Sequence, residues 1–357
     1  GGFSPHFPFA RSSRCDLQQR QTTPHFPYRQ SPLTPPPAQQ PTTNPQPRQA
    51  QNTMNTLVTG AAGFVGSHTA KALTDQGHTV IALDSLIRGK RQTLENLAEH
   101  AHQKKTPFHT TIADIHDTER LANLIAEHNI TTILHFAALA VIAESIERPL
   151  DYHHHNAAGT VALLRAAHHA RQQQGDHLAR AVVLSSTCAV YGNAPIDTPI
   201  NEDTTPAPTH PYGRSKLAAE HALEDFASAE NNTRRNFKAA ALRYFNAAGA
   251  DPDRLLGEQT NTSTRLIPSA ALAALGHLPH LDIHGTNFPT PDGTAVRDYI
   301  HVADLASAHL AVAAAMHNAA PAGHQLPTWS VYNLGSGRGH SVRQAVAAVE
   351  RAAAAPV

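Results

Sequence analysis

Val58-Thr59-Gly60-Ala61-Ala62-Gly63-Phe64-Val65-Gly66-Ser67-His68 is the stretch on which the fold reading turns. A short β-prone run over 57–59 leads into three glycines spaced by three, and a helical pattern follows over 67–76. Gly60 suits a tight turn, Gly63 lets backbone approach a pyrophosphate, and Gly66 lets the helix pack on the strand. The helix start offers free N–H groups and the positive end of its dipole to phosphate. Glycine triplets also occur in turns that bind nothing. Here the next predicted strand, 79–83, runs straight into Asp84. An acid at that strand end can take both ribose hydroxyls and would repel a 2′-phosphate, so the residues predict NAD rather than NADP.

Further along, predicted strands at 109–112, 130–136, 181–185 and 239–242 alternate with helical stretches at 118–128, 157–171 and 215–229. That alternation predicts an α/β fold with a Rossmann-type, doubly wound parallel sheet. Asp114-Ile115 follows the third strand, where an adenine ring would lie; a plain loop carboxylate is the competing reading. After residue 244 the alternation loosens into loops, two Ala-rich helices and one strand at 330–333, which predicts a smaller α/β substrate lobe. The expected organisation is a Pro/Gln-rich extension over 1–53, an NAD-binding domain over 54–243 and the substrate lobe over 244–357.

Residues 1–53 hold 11 of the 26 prolines and nine glutamines, with five Arg, one Asp and no Glu or Lys. Such a stretch cannot bury enough surface to fold. Met54 immediately precedes the first strand and is the expected start of the native chain. The whole chain carries 28 Lys+Arg against 28 Asp+Glu, and residues 54–357 carry 23 against 27. A neutral to mildly acidic protein has no electrostatic reason to bind nucleic acid or a membrane surface. No apolar run is long enough to span a bilayer and no secretory pattern opens the chain, so a cytoplasmic location is expected. Cys15 and Cys188 are too few for a disulfide framework or a thiolate zinc site. The tract His153-His154-His155 lacks a carboxylate–histidine pattern, and no metal is expected.

Tyr212-Gly213-Arg214-Ser215-Lys216 spaces a tyrosine and a lysine by four, on one helical face. A phenol of pKa near 10 is a poor base at neutral pH. An ammonium one turn away, with an oxidised nicotinamide, favours the phenolate. A fall of about three units needs about 4 kcal/mol, within reach of two positive charges in a low-dielectric cleft. Ser185-Ser186-Thr187 closes the fifth strand with three hydroxyls, which can cap a turn or meet a substrate. Thr187 can steer a substrate proton to Tyr212. Together these residues suggest hydride transfer at a carbinol.

With these motifs the chain resembles the extended short-chain dehydrogenase/reductase superfamily and its NAD-dependent epimerase/dehydratase group, most closely the UDP-glucose 4-epimerase branch. The resemblance runs from residue 54 to the end. It lies in the glycine turn, His135-Phe136-Ala137-Ala138, Glu144-Ser145, Ser185 to Gly192, Pro211 to Lys216, Leu242 to Ala250, Asp292 to Val302 and Tyr332 to Gly337. Arg243-Tyr244-Phe245-Asn246 and the block from Asp292 to Val302 are the most branch-specific. The resemblance implies hydride transfer from C4 of a UDP-sugar to NAD, a transient 4-keto sugar, and return of hydride to its other face. UDP-glucose and UDP-galactose are the expected pair. By position it assigns Thr187, Tyr212 and Lys216 to catalysis. It assigns Gly60, Gly63, Phe64, Val65, Gly66, Asp84, Asp114, Ile115, Phe136, Ala137, Ala138, Asn156, Tyr212, Lys216 and Phe245 to the cofactor. Asn246, Leu266 and Arg297, with Thr187 and Tyr212, fall to the substrate, and a homodimer is implied.

Departures from the pattern sharpen these expectations. Related 4,6-dehydratases carry Asp-Glu after the strand-end threonine; Cys188 and Ala189 stand here and cannot support water loss. Leu139-Ala140 replaces a lysine- or tyrosine-bearing segment beside the cofactor. Arg265 stands where Asn or His is usual near the substrate phosphates, and it can still bind them. The family continues past Ala355-Pro356-Val357 with a segment that closes over the uridine, so a truncated, poorly active chain is expected. A UDP-pentose or UDP-N-acetylhexosamine 4-epimerase is the nearer alternative, and a silent NAD-binding sensor or scaffold the more distant one.

Overall fold

The computed structural model describes residues 53–193, 199–233, 235–258, 265–318 and 327–357. The Pro/Gln-rich stretch up to residue 52 lies outside them. The strands are β1 (Asn55–Thr59), β2 (Thr79–Asp84), β3 (Phe108–Ile112), β4 (Thr132–His135), β5 (Ala181–Thr187), β6 (Lys238–Tyr244), β7 (Asn246–Ala248), β8 (Val296–His301), β9 (Trp329–Leu334) and β10 (Gly339–Ser341). The helices are α1 (Phe64–Asp75), α2 (Arg91–Lys104), α3 (Thr118–Glu127), α4 (Ile142–Glu147), α5 (Pro149–Tyr152), α6 (Gly159–Gln174), α7 (Pro211–Asn232), α8 (Leu266–Ala274), α9 (Val302–His317) and α10 (Val342–Ala353). A single π-helical turn, His153–Ala158, joins α5 to α6 and contains the histidine tract.

Seven strands form one parallel sheet in the order β3-β2-β1-β4-β5-β6-β9. The order reverses beside β1, so the chain leaves β1 and β4 in opposite directions and opens a crevice at their carboxyl ends. Alternate residues of each central strand feed two cores. Leu57, Ile81, Ile133 and Val182 pack with Leu121, Ile125, Leu163 and Leu223 of α3, α6 and α7. Val58, Val80, Leu134 and Val183 pack with Leu73, Leu94, Leu97 and Leu310 of α1, α2 and α9. A strand buried on both sides is apolar through its middle, as Leu57-Val58, Ile133-Leu134 and Ala181-Val182-Val183-Leu184 are, while its polar residues gather at the strand ends.

Two elements expected in the smaller lobe belong to this large layered unit. β9 pairs in parallel with β6 along Ala239↔Trp329 to Tyr244↔Leu334, and α9 packs on α1. Their apolar faces complete the sheet edge and one of its helical layers. A second sheet, β10-β8-β7, stands apart, with α8 packed on α10. Ser341 and Gln344 close a reciprocal cap at the start of α10. Among the described residues no helix is long and apolar enough to cross a membrane.

Candidate active site

The parallel sheet puts Gly60, Asp84, Phe136, Thr187 and Phe245 at the carboxyl ends of neighbouring strands. Gly60 turns with φ +71°, and a Cβ there would lie 2.6 Å from the Ala137 nitrogen and 2.7 Å from the Phe136 carbonyl carbon. A Cβ on Gly66 would strike the Gly60 carbonyl oxygen. Gly63 is the N-cap of α1; no side chain caps that helix start and no acid stands in its first turn. Asp84 is buried, and its carboxylate accepts from the Ala62 N–H at 2.9 Å and the Leu86 N–H at 2.8 Å. Those bonds hold the acid against the glycine turn and leave lone pairs for further donors. A crowded turn, an uncapped helix start and an adjacent carboxylate fit a dinucleotide, with Phe64 and Val65 in the first turn.

The other cofactor assignments fare unevenly. Phe136 and Ala137 are tied to β1 through the Thr59 carbonyl and hydroxyl, at 3.0 and 3.3 Å, and Ala138 follows, half-buried. His135, just before them, is buried between the Thr59 and Thr160 hydroxyls, and burial lowers its pKa to about 3, so its ring is neutral. Asp114 already accepts from the His116 N–H and pairs with its ring at 2.7 Å, while His116 stacks on His154 at 4.1 Å. Ile115 is buried beside Gly159. Asn156 brackets Leu139, accepting from its N–H and donating to its carbonyl, and also donates to the Ser215 hydroxyl. Its side-chain amide is thus already held by protein groups. Phe245 is half-buried, its N–H on the Leu334 carbonyl.

Pro211 at the first helical position and the His210 ring, which accepts from the Gly213 N–H, start α7 so that Tyr212 and Lys216 both face β5. Thr187 is buried, accepts from the Ala189 N–H, and turns its hydroxyl toward the Tyr212 phenol. Lys216 donates to the Ser185 carbonyl at 2.7 Å. The Tyr212 ring packs edge-on against Tyr152 and beside Leu139. The three residues meet as the spacing predicts, and in the protein alone burial works against the phenolate. Burial is the largest influence on Tyr212 and pushes its phenol well above the usual range, and nearby Tyr244 adds to this. Thr187 and the Arg265 guanidinium pull it back. Lys216 itself is pushed down to about 8 by burial, with Glu220 opposing. The Arg265 guanidinium thus adds a positive charge near the phenol, from outside the Tyr212–Lys216 face.

Tyr244 was not singled out by spacing, yet its hydroxyl meets the Ser185 hydroxyl at 2.7 Å. Glu220 and Arg243, to which spacing assigns no role, are both buried and paired. The signal for Glu220 was present, since it stands one further turn along the Tyr212–Lys216 face. Cys188 is mostly buried and burial pushes its thiol to about 11, which suits packing rather than attack. Among the substrate assignments, Asn246 donates to the Asp298 carbonyl at 2.8 Å, Leu266 opens α8, and Arg297 is exposed on β8 with its charge felt at Cys188.

The chain is similar in sequence and fold to known proteins. The profile of the NAD dependent epimerase/dehydratase family matches residues 56–335. The UDP-glucose 4-epimerase of Azospirillum brasilense is 40% identical over 294 residues, 82% of this chain and 76% of that protein. A UDP-glucose-4-epimerase structure from Stenotrophomonas maltophila, with bound NAD and formylated UDP-arabinopyranose, superposes with a TM-score of 0.75 at 38% identity. That match covers 85% of this chain and 84% of the other. A Bifidobacterium longum UDP-glucose 4-epimerase structure, in complex with NAD+ and UDP, gives a TM-score of 0.74 at 35% identity, covering 85% and 84%. On the strand-end site and on these matches together, the chain belongs to the NAD dependent epimerase/dehydratase family.

Proposed function

We propose that this protein is an NAD-dependent enzyme that inverts C4 of a UDP-sugar, with UDP-glucose and UDP-galactose as the interconverted pair. The observation that carries the reading is the buried Thr187–Tyr212 pair beside Lys216, at the strand ends next to the glycine turn. When bound, NAD supplies a reversible hydride acceptor. Tyr212 takes and returns the proton of the C4 hydroxyl, and Thr187 orients that hydroxyl. A phenol that the protein alone holds protonated gives up its proton more readily once positive charge enters the crevice. Lys216 holds the strand end and supplies positive charge, while Arg297 and Asn246 face the diphosphate. Asp84 selects NAD over its 2′-phosphorylated form.

A second copy of the chain is the proposed protein partner. Ile142, Ile146 and Leu150 follow at intervals of four, and Ile146 and Leu150 are 64% and 80% exposed. Val161 on α6 is a further exposed apolar side chain.

The test incubates purified protein with UDP-galactose, assays UDP-glucose, and reads bound NAD(H) after denaturation. Tyr212→Phe is expected to lower turnover about 10²- to 10⁴-fold while retaining NAD. Undiminished turnover would remove Tyr212 as base. Product from UDP-pentoses but not UDP-hexoses would favour the pentose reading, in keeping with the ligand of the Stenotrophomonas structure. Bound NAD without product from any UDP-sugar would favour a sensor.

A further inference from the structure

Three consecutive residues end β5, and each meets a different turn of α7. The Ser185 carbonyl accepts from Lys216 at 2.7 Å. The Ser186 hydroxyl donates to the Glu220 carboxylate. The Thr187 hydroxyl faces the Tyr212 phenol. Glu220 is held in turn by Arg243 of β6, whose Nε and Nη2 donate to it at 3.0 and 2.6 Å. The remaining Arg243 nitrogen donates to the Tyr191 hydroxyl at 2.9 Å, and Tyr191 donates to Asn333 of β9 at 2.7 Å. Glu220 and Arg243 are 1% and 5% exposed.

A buried ion pair is a poor source of stability, because desolvation of both charges offsets their attraction. Its geometry is its better use. Two charged forks with nearly every donor and acceptor committed have little freedom, so whatever they hold is fixed. What they hold is the middle rung between β5 and α7.

We propose that Glu220, anchored by Arg243, is a positioning residue: through Ser186 it sets the end of β5 against α7 and so fixes Thr187 against Tyr212 and Ser185 against Lys216. This rests on the assignment of Thr187, Tyr212 and Lys216 to the reaction. The carboxylate also opposes the burial that lowers Lys216. Tyr212 stands one turn before this lysine on α7, and the ring of His135 on β4 feels its charge. His135 is neutral across the working pH range and does not titrate with it.

The test uses the NAD-loaded enzyme and two variants. Ser186→Ala removes the middle rung and leaves the ion pair whole. It is expected to lower kcat at least about tenfold with KM for UDP-galactose and Tm nearly unchanged, since small misplacements of reacting groups are costly. Glu220→Gln with Arg243→Met removes both charges together, so no buried charge is stranded. In that variant the Lys216 titration, followed by NMR of ¹³C-labelled lysine and assigned with Lys216→Met, is expected to fall by about one unit. The alkaline limb of the kcat profile should move down with it. A Ser186→Ala enzyme that loses Tm but keeps kcat, or an unmoved Lys216 titration, would overturn the proposal. Tyr212→Phe run alongside separates the two levels. If that variant still turns over, the assignment of the reacting residues has failed; if it is dead and the others are unaffected, only the positioning role has failed.

Discussion

Lys216→Met offers a test in which function and stability move in opposite directions. Lys216 is 3% exposed. Burial lowers its pKa from 10.5 to about 8, against the opposing pull of Glu220. Because the folded value lies below the unfolded one, the unfolded chain binds more protons between about pH 8 and 10.5. Stability therefore rises with pH through that window, and the full cost of the buried charge is present below pH 8. At pH 7 that cost is about 3 kcal/mol, and by pH 9.5 it has shrunk to about 1 kcal/mol. Methionine fills similar space without charge, but it strands the Ser185 carbonyl, which now accepts from Lys216. An unpartnered buried carbonyl costs about 1–3 kcal/mol. The variant should thus match or exceed the parent by up to about 2 kcal/mol at pH 7 while losing turnover. Its advantage should shrink by about 2 kcal/mol between pH 7 and 9.5. Urea unfolding of both proteins at the two pH values measures this directly, since titrating groups remote from Lys216 cancel in the difference. A variant several kcal/mol less stable at pH 7, or a difference flat in pH, would refute the buried-charge reasoning.

Gly60→Ala forces an L-residue to φ +71° against the backbone of Phe136 and Ala137. Left-handed strain alone costs about 1–3 kcal/mol, so a lower Tm and loss of co-purifying NAD are expected; a variant that keeps both would mean the turn has more room than the geometry gives it. Arg171 is fully buried and reaches Glu230 at 3.0 Å as well as the carbonyls of Asp176, Leu178 and Arg235. Arg171→Met should cost about 3–5 kcal/mol, read from chemical denaturation, with part restored by adding Glu230→Gln; a loss under about 1 kcal/mol would show that the pair is dispensable. Ile146→Glu with Leu150→Glu should convert a dimer to a monomer in sedimentation at micromolar concentration. An unchanged sedimentation coefficient would place self-association elsewhere or exclude it.

Much of the sheet was legible because a buried parallel strand is apolar on both faces. Val58, Leu134 and Val183 read as strand whichever face they serve. Helix α2 was not legible: its buried apolar positions, Leu94, Leu97 and Ala101, are thinly spread among Gln, Asn, Glu and His. Asp114 and Asn156 have partners within the protein that matching by position does not give. Their side chains are already engaged, by His116 in one case and by Leu139 and Ser215 in the other.

By itself the sequence determined the α/β alternation, the glycine turn with its strand-end acid, and the Tyr212–Lys216 face. All three follow from local periodicity and spacing, which the chain carries without reference to its fold. Only the tertiary structure decided that β9 completes the main sheet and that α9 covers it. It also decided that the Arg265 charge reaches Tyr212, and that Glu220 pairs with Arg243 and meets Ser186 at the strand end. Those outcomes depend on burial and on contacts between residues far apart in the chain. Desolvation and pairing energies exist only once the low-dielectric interior has formed around the groups concerned.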